Sequence, residues 1–236
     1  MAPKTRFLSP EPLRAGARVT LSDEESHHLL RVLRMGLDAQ VLLIDGQGGY
    51  ADARVDAATK KSATVIVGEV RREEPRHHVH LVFGVTKAPA MEFILHRATE
   101  LGVASFQPLY SQHALRLSSW NEDRWRKILW ETAKQCEELH LPRLAAPVSL
   151  PEWLASRKKD RALYLCDETD RSLSPPASQP TEVEILVGPE GGWSPEEIET
   201  LTKAGARKMS LGRNRLRAET ASVVAVTLGK RIVGEL

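Results

Sequence analysis

Val183-Glu184-Ile185-Leu186-Val187-Gly188-Pro189-Glu190-Gly191-Gly192-Trp193-Ser194-Pro195-Glu196-Glu197 reads as strand, bare loop, helix. Val183, Ile185 and Val187 form a short apolar run suited to a buried strand. Gly188–Gly192 then leaves a backbone almost free of side chains, with Glu190 standing in it. Ser194 follows as N-cap, with Pro195 at the first helical position and Glu197 placed to complete a capping box. A second run, Ser210-Leu211-Gly212-Arg213-Asn214-Arg215-Leu216-Arg217-Ala218-Glu219-Thr220-Ala221, repeats the plan. It reads as apolar strand, Gly212, a polar loop with three arginines, then a helix rich in Ala and Val. Two such units side by side make a ligand crevice at the carboxyl ends of their strands. A plain turn needs one or two glycines; three with an embedded Glu point to close approach of a ligand to the backbone. There is no Gly-Lys-Ser/Thr ending and no GxGxxG spacing, so the loop is not built for a triphosphate or pyrophosphate.

Upstream, strands and helices alternate from Val79 onward. Val79–Val85 is a strand. Met91, Ile94, Leu95, Ala98 and Leu101 mark the inner face of a helix ended by Gly102. Phe106–Tyr110 is the next strand. Trp120–Glu138 is a helix with Trp125, Ile128, Leu129, Thr132, Ala133 and Cys136 inward, and Leu163–Cys166 is a third strand. Ser172–Pro180 is a proline-rich surface loop. This alternation implies a parallel sheet covered on both faces.

The first 72 residues follow a different pattern. Residues 1–17, interrupted by Pro3, Pro10 and Pro12, carry the basic–aromatic pair Arg6-Phe7. A strand is expected at Val19–Leu21, then a helix from Asp23 to Met35 capped by Ser22 with Glu25 completing a capping box. Leu29, Leu30 and Leu33 make its apolar stripe, and His28, Arg31 and Arg34 fall one turn apart on another face. Strands at Val41–Ile44, Ala51–Ala57 and Ala63–Val70, with a hairpin loop at Asp45–Gly49, close a small β-barrel. The run Arg71-Arg72-Glu73-Glu74-Pro75-Arg76 breaks the composition, so the domains are read as 1–72 and 76–236.

The totals bound the function. Net charge is only +2, and residues 1–72 hold 11 Lys/Arg against 9 Asp/Glu. A nucleic-acid surface must therefore be a local patch, because phosphate attraction needs clustered cations. Cys136 and Cys166 stand apart from each other and from any His at ligand spacing, so neither a metal site nor a disulfide is expected. A charged-then-apolar leader is missing and no apolar run is long enough for a bilayer, which makes a cytoplasmic protein the expectation.

The paired motifs Leu-Val-Gly-Pro-Glu-Gly-Gly (186–192) and Leu-Gly-Arg-Asn-Arg-Leu-Arg-Ala-Glu-Thr-Ala (211–221) resemble those of the knotted, SPOUT-class RNA methyltransferases. Within that class they are similar to the bacterial family that methylates N3 of a uridine in 16S ribosomal RNA. Lys87–Phe93, Glu100–Val103, Ala133–Glu137 and His28–Met35 resemble further motifs of that family, so the resemblance spans nearly the whole chain. It implies an α/β trefoil-knot domain with a parallel sheet, a PUA-like N-terminal RNA-binding domain, and a homodimer. It implies an S-adenosylmethionine site at Gly188, Pro189, Glu190, Gly191, Gly192, Leu211, Gly212, Asn214, Leu216 and Arg217, with Leu186 as adenine wall and Leu165 beside it. The uridine N3 is a weakly acidic imide, so a cation must stabilise its anion or a base must take its proton. Arg217 is the expected stabiliser; Glu190 and Glu219 are candidate bases, although Glu219 could equally pair with Arg217. Arg6, His28, Arg31 and Arg34 are expected phosphate contacts. Two other readings stay open: a methyltransferase of the same class acting on a ribose 2′-hydroxyl or a guanine, and a non-catalytic RNA-binding protein.

Overall fold

The computed structural model describes residues 5–167 and 179–236. Pro3 and most of the expected loop at Ser172–Pro180 lie outside the described residues. The chain divides into two compact units: Met1–Arg76 with Ala133–Leu141, and His77–Thr132 with Pro142–Leu236.

The first unit holds β1 (Arg6–Leu8), β2 (Arg18–Thr20), α1 (Asp23–His27), β3 (Gln40–Ile44), β4 (Gly49–Ala58) and β5 (Ala63–Arg72). Its sheet runs in the order β1-β3-β4-β5-β2. β1 and β2 are the two edges, so the expected small barrel takes the form of a curled sheet, a half-barrel. Period-two alternation along β4 and β5 turns Ala51, Ala53, Val55, Ala63, Val65 and Val67 into one core with Phe7, Val19, Leu29, Val41 and Leu43. The expected hairpin loop is present, and the Asp45 carboxylate organises it by accepting from the Gln47 and Gly49 amides at 2.9 and 2.8 Å.

Two expectations fail around α1. The helix does not run on to Met35: after His27 the chain widens into a π-helical turn, His28–Val32. Fourth neighbours no longer share a face there, and Leu33 leaves the apolar stripe for solvent. The second capping box is only half formed. Ser22 Oγ accepts from the Glu25 amide at 3.2 Å, but the Glu25 carboxylate turns to the Leu8 N–H and the Lys134 ammonium.

The second unit begins with β6 (Val79–Gly84), α2 (Ala88–Glu100), β7 (Ser105–Tyr110) and α3 (Glu122–Gln135), whose last three residues count with the first unit. Short strands β8 (Arg143–Leu144) and β9 (Val148–Ser149) lead to α4 (Leu150–Ser156) and β10 (Ala162–Cys166). β11 (Val183–Val187), α5 (Pro195–Lys203), β12 (Arg207–Met209) and α6 (Ala218–Val233) complete it. The strands run parallel in the order β12-β10-β11-β6-β7-β8, with β9 also on β7.

Both faces of this sheet are covered, as the alternation predicts. On one face Leu163, Leu165, Leu186 and Val82 pack with Leu150 and Trp153 of α4 and Leu201 of α5. On the other, α6 lies against β11, β6 and α2. Gly229 permits that approach: a Cβ there would stand 2.4 Å from Ile185 Cδ1 and 3.0 Å from Val79 Cγ1. A trefoil knot is a property of the complete backbone path, part of which lies in 168–178, outside the described residues.

Candidate functional site

The carboxyl ends of β10, β11 and β12 open into a cleft of about 520 Å³. That volume is within the range of small-molecule sites. Three stretches line it: Cys166–Asp167 after β10, Val187–Trp193 after β11, and Leu211–Ala218 after β12. The two diagnostic units are therefore not side by side. β10 lies between them in the sheet and contributes its own lip. The strand of the second unit is also less apolar than expected, because β12 is an edge strand that carries Arg207 and Lys208 and buries only Met209.

The glycine loop is folded tightly on itself. The Gly192 N–H donates to Pro189 O at 2.9 Å, and Gly192 has a left-handed backbone, φ 72°. A Cβ on Gly188 would come within 3.2 Å of the Gly192 backbone. One on Gly84, at the end of β6, would strike Pro189 Cδ at 2.4 Å, and one on Gly191 would strike His113 Cβ at 2.7 Å. The expected Ser194–Glu197 capping box is complete. Glu197 does more than cap, since its second carboxylate oxygen accepts from the Gln112 N–H at 2.8 Å.

Gly188, Pro189, Glu190, Gly191, Gly192, Leu211, Gly212, Asn214, Leu216 and Arg217 all line the cleft. Leu165 and Leu186 do not: both side chains point into the core shared with α4 and α5. Alternation along a strand explains this, since the neighbours Cys166 and Val187 are the ones that reach the cleft. Glu219 is half-buried on the first turn of α6, between the lining residues Ala218 and Ala221. Arg217 is exposed at the N-cap of α6 and makes no capping hydrogen bond. Among the described residues Arg217 and Glu219 form no ion pair with each other, so the pairing alternative is not realised.

Sequence reasoning missed Cys166, Asp167 and Trp193. The position of the first two at the end of a parallel strand was the available signal. Asp167 is buried and paired with Lys208 at 2.8 Å. Burial pushes the Cys166 thiol up, which favours its protonated form. Trp193 is nine-tenths buried, and its indole N–H meets no acceptor among the described residues. Beside it, the glycine loop and the loop after β12 leave backbone amides and carbonyls uncovered by large side chains along the cleft, which suits a ligand held through backbone groups.

The four expected RNA contacts belong to the first unit. Arg31 and Arg34 are exposed, and Arg31 Nη2 donates to Lys60 O at 3.2 Å. Arg6 is mostly buried and paired with Glu137 at 2.8 Å. His28 packs against Phe7, ring centroids 5.8 Å apart. Only the first two are therefore presented freely to solvent.

Residues 72–230 match the RNA methyltransferase domain family, and residues 21–68 match the RNA methyltransferase PUA domain family. A Synechocystis protein, ribosomal RNA small subunit methyltransferase E, is 33% identical over 93% of this chain and 74% of its own. The chain belongs to the small subunit methyltransferase E family. The Bacillus subtilis member is 25% identical over 93% of this chain and 92% of its own. Among solved structures, the Neisseria gonorrhoeae member bound to S-adenosylmethionine superposes with a TM-score of 0.88 at 26% identity, covering 97% of this chain and 98% of that one. A Legionella pneumophila methyltransferase in complex with the same cofactor gives 0.85 at 28% identity, covering 97% of each chain. The RNA methyltransferase match thus covers most of the unit that holds the cleft, and the PUA match covers β3, β4 and most of β5 of the curled sheet.

Proposed function

We propose that this protein transfers the methyl group of S-adenosylmethionine to N3 of a uridine in 16S ribosomal RNA of the small subunit. The observation that carries this reading is one cleft in which both diagnostic loops converge, with Arg217 exposed at its edge and in no ion pair among the described residues, in a chain of this family. Residues 1–72 act as the RNA-binding domain and 76–236 as the methyltransferase domain. The enzyme works in the cytoplasm, as a homodimer, and its site needs no metal.

The residues fit the cofactor. Backbone groups of Gly188–Gly192 and Leu211–Leu216 would hold its adenine and ribose. Leu165 and Leu186 support these loops from beneath rather than touching the ligand. When bound, the cofactor supplies an electrophilic methyl group on a sulfonium. The chain's own task is to hold the uridine N3 in line with that methyl, from which much of the acceleration follows. Arg217 faces the developing anion of the imide and lowers its energy in a partly desolvated site. Glu190, exposed in the glycine loop, and Glu219, on the first turn of α6, are the carboxylates available to accept the N3 proton. Arg31 and Arg34 take RNA phosphates; Arg6 and His28, already engaged with Glu137 and Phe7, hold the neighbouring surface in shape. The target base reaches the cleft by leaving its stack.

The test uses methyl-labelled S-adenosylmethionine and small subunits from a strain lacking this gene, followed by nucleoside mass spectrometry. N3-methyluridine is the expected product, and Arg217→Ala lowers kcat by roughly 10²–10³ while cofactor binding persists. Label on a ribose or a guanine would overturn the substrate and keep the cofactor. Absence of cofactor binding would leave a non-catalytic RNA-binding protein. Sedimentation at working concentration tests the dimer.

A further inference from the structure

The turn that follows α1 carries features that the fold of the first unit does not need. Its backbone widens into a π-helical turn at His28–Val32, a form concentrated at functional positions. Arg34 and Asp38 then adopt left-handed backbone, φ 53° and 63°. Outside glycine only Glu137 shares this among the described residues. Such strain persists where something other than local preference selects it.

The side chains divide by direction. Leu29 is buried, and Leu30 and Met35 pack on the same core. Val32, Leu33 and Leu37 turn out to solvent, 61%, 38% and 63% exposed. These three, within six residues, are half of the large apolar side chains that stand exposed among the described residues. Scattered exposed aliphatics need no explanation, but a cluster on one strained turn does.

The surroundings are cationic. Arg31 and Arg34 belong to the turn itself. The bond from Arg31 to Lys60 O sets the turn beside the β4–β5 hairpin tip, where Lys60 and Lys61 are exposed. The nearby carboxylate of Asp38 is occupied by Arg54 at 2.5 Å. Four cations around three aliphatics would repel the same face of a second copy, and they match a phosphate backbone whose bases offer apolar faces.

We propose that this turn is an RNA wedge. Val32, Leu33 and Leu37 enter between bases of the structured substrate while Arg31, Arg34, Lys60 and Lys61 hold the flanking phosphates. The helix that carries the target nucleotide is thereby held partly unstacked, which lowers the cost of bringing one base to the cleft. This rests on the RNA methyltransferase reading above and adds a positioning role for side chains that make no contact with the reacting atoms.

The test uses the full chain, deproteinised 16S ribosomal RNA from a strain lacking the gene, and a bulged RNA hairpin carrying 2-aminopurine. Because Val32, Leu33 and Leu37 lie outside the core, V32S/L33S/L37S should melt as the parent does. The parent raises 2-aminopurine fluorescence on binding. The triple variant binds with an unchanged salt slope but loses most of that rise, and its kcat on 16S RNA falls about tenfold. The companion variant R31Q/K60Q/K61Q shows the converse: a shallower salt slope, with the fluorescence rise retained at saturation. Full fluorescence and unchanged kcat in the triple variant would overturn the wedge. So would a change in sedimentation of the free protein without any RNA effect, which would mark a self-association face. Should the parent unstack the hairpin but methylate no RNA, the wedge stands and the enzymatic reading falls.

Discussion

At the scale of single residues, two glycines near the cleft do different work, and space separates them. Gly84 has no left-handed backbone, yet a Cβ there meets Pro189 Cδ at 2.4 Å and Pro189 N at 2.6 Å. Gly192 has φ 72° but open space around it. Gly84→Ala must therefore push the glycine loop off the end of β6, an overpacking cost of roughly 1–3 kcal/mol. Gly192→Ala meets only backbone strain, roughly 1–2 kcal/mol. The expected difference lies in function: calorimetric titration with S-adenosylmethionine should give about tenfold weaker binding for Gly84→Ala, since its clash displaces the glycine loop that lines the cleft. Parent-like affinity would show that the loop re-seats without loss. The glycines of 188–192 were legible as a bare loop from their spacing. Gly84 was not, because its partner lies far along the chain and nothing local marks it.

At the scale of elements, α5 shows how a local motif acquires a second task. The Ser194–Glu197 box was readable from four consecutive residues, and it forms as expected. The Glu197 carboxylate also holds the Gln112 N–H, and the same turn places His113 Nδ1 3.3 Å from Gly192 O. Glu197→Ala strands two backbone donors instead of one, so it should cost about 1–2 kcal/mol. It should also raise amide exchange at Gln112 along with Ser194. Urea unfolding with hydrogen exchange checks this; faster exchange at Ser194 alone would reduce Glu197 to a cap. The π-helical turn marks the opposite limit. Leu29, Leu30 and Leu33 fit an α-helical stripe equally well in sequence, and only packing of Met35 against the core, with Leu33 left out, selects the wider turn.

At the scale of the whole molecule, the amino ends of the sheet strands are tied by a buried charged network at the end of the sheet opposite the cleft. His80 Nδ1 lies 2.7 Å from Ser105 Oγ and its Nε2 3.0 Å from Glu182, while Arg161 bonds Glu182 and Arg157 bonds Glu184. Burial lowers the His80 imidazole from 6.5 to about 4, and Arg161 adds to this against the pull of Glu182. A depressed histidine is neutral in the fold, so the unfolded chain gains the proton first as pH falls. Stability is unaffected by this group above pH 6.5 and is lost between 6.5 and about 4. The total is roughly 3 kcal/mol at 1.36 kcal/mol per unit. Burial raises the Glu182 carboxyl, but Arg161 and His80 outweigh it and hold the group below 4.5, adding a further loss only at lower pH. Denaturant unfolding of His80→Gln should flatten the profile between pH 6.5 and 4 and keep the steeper leg below it. An unchanged slope in the upper window would remove His80 from the account. Local residue patterns were enough to read the two strand–loop–helix units, the alternation that demands a parallel sheet, and the residues of both diagnostic loops. Caps, glycine turns and apolar periods act within a few positions, so they can be read locally. Long-range packing set the rest: β10 separates β11 from β12, Cys166, Asp167 and Trp193 line the cleft, and Leu165 and Leu186 face the core. Strand order and side-chain facing follow from which distant surfaces bury best together, and no local run of residues encodes that choice.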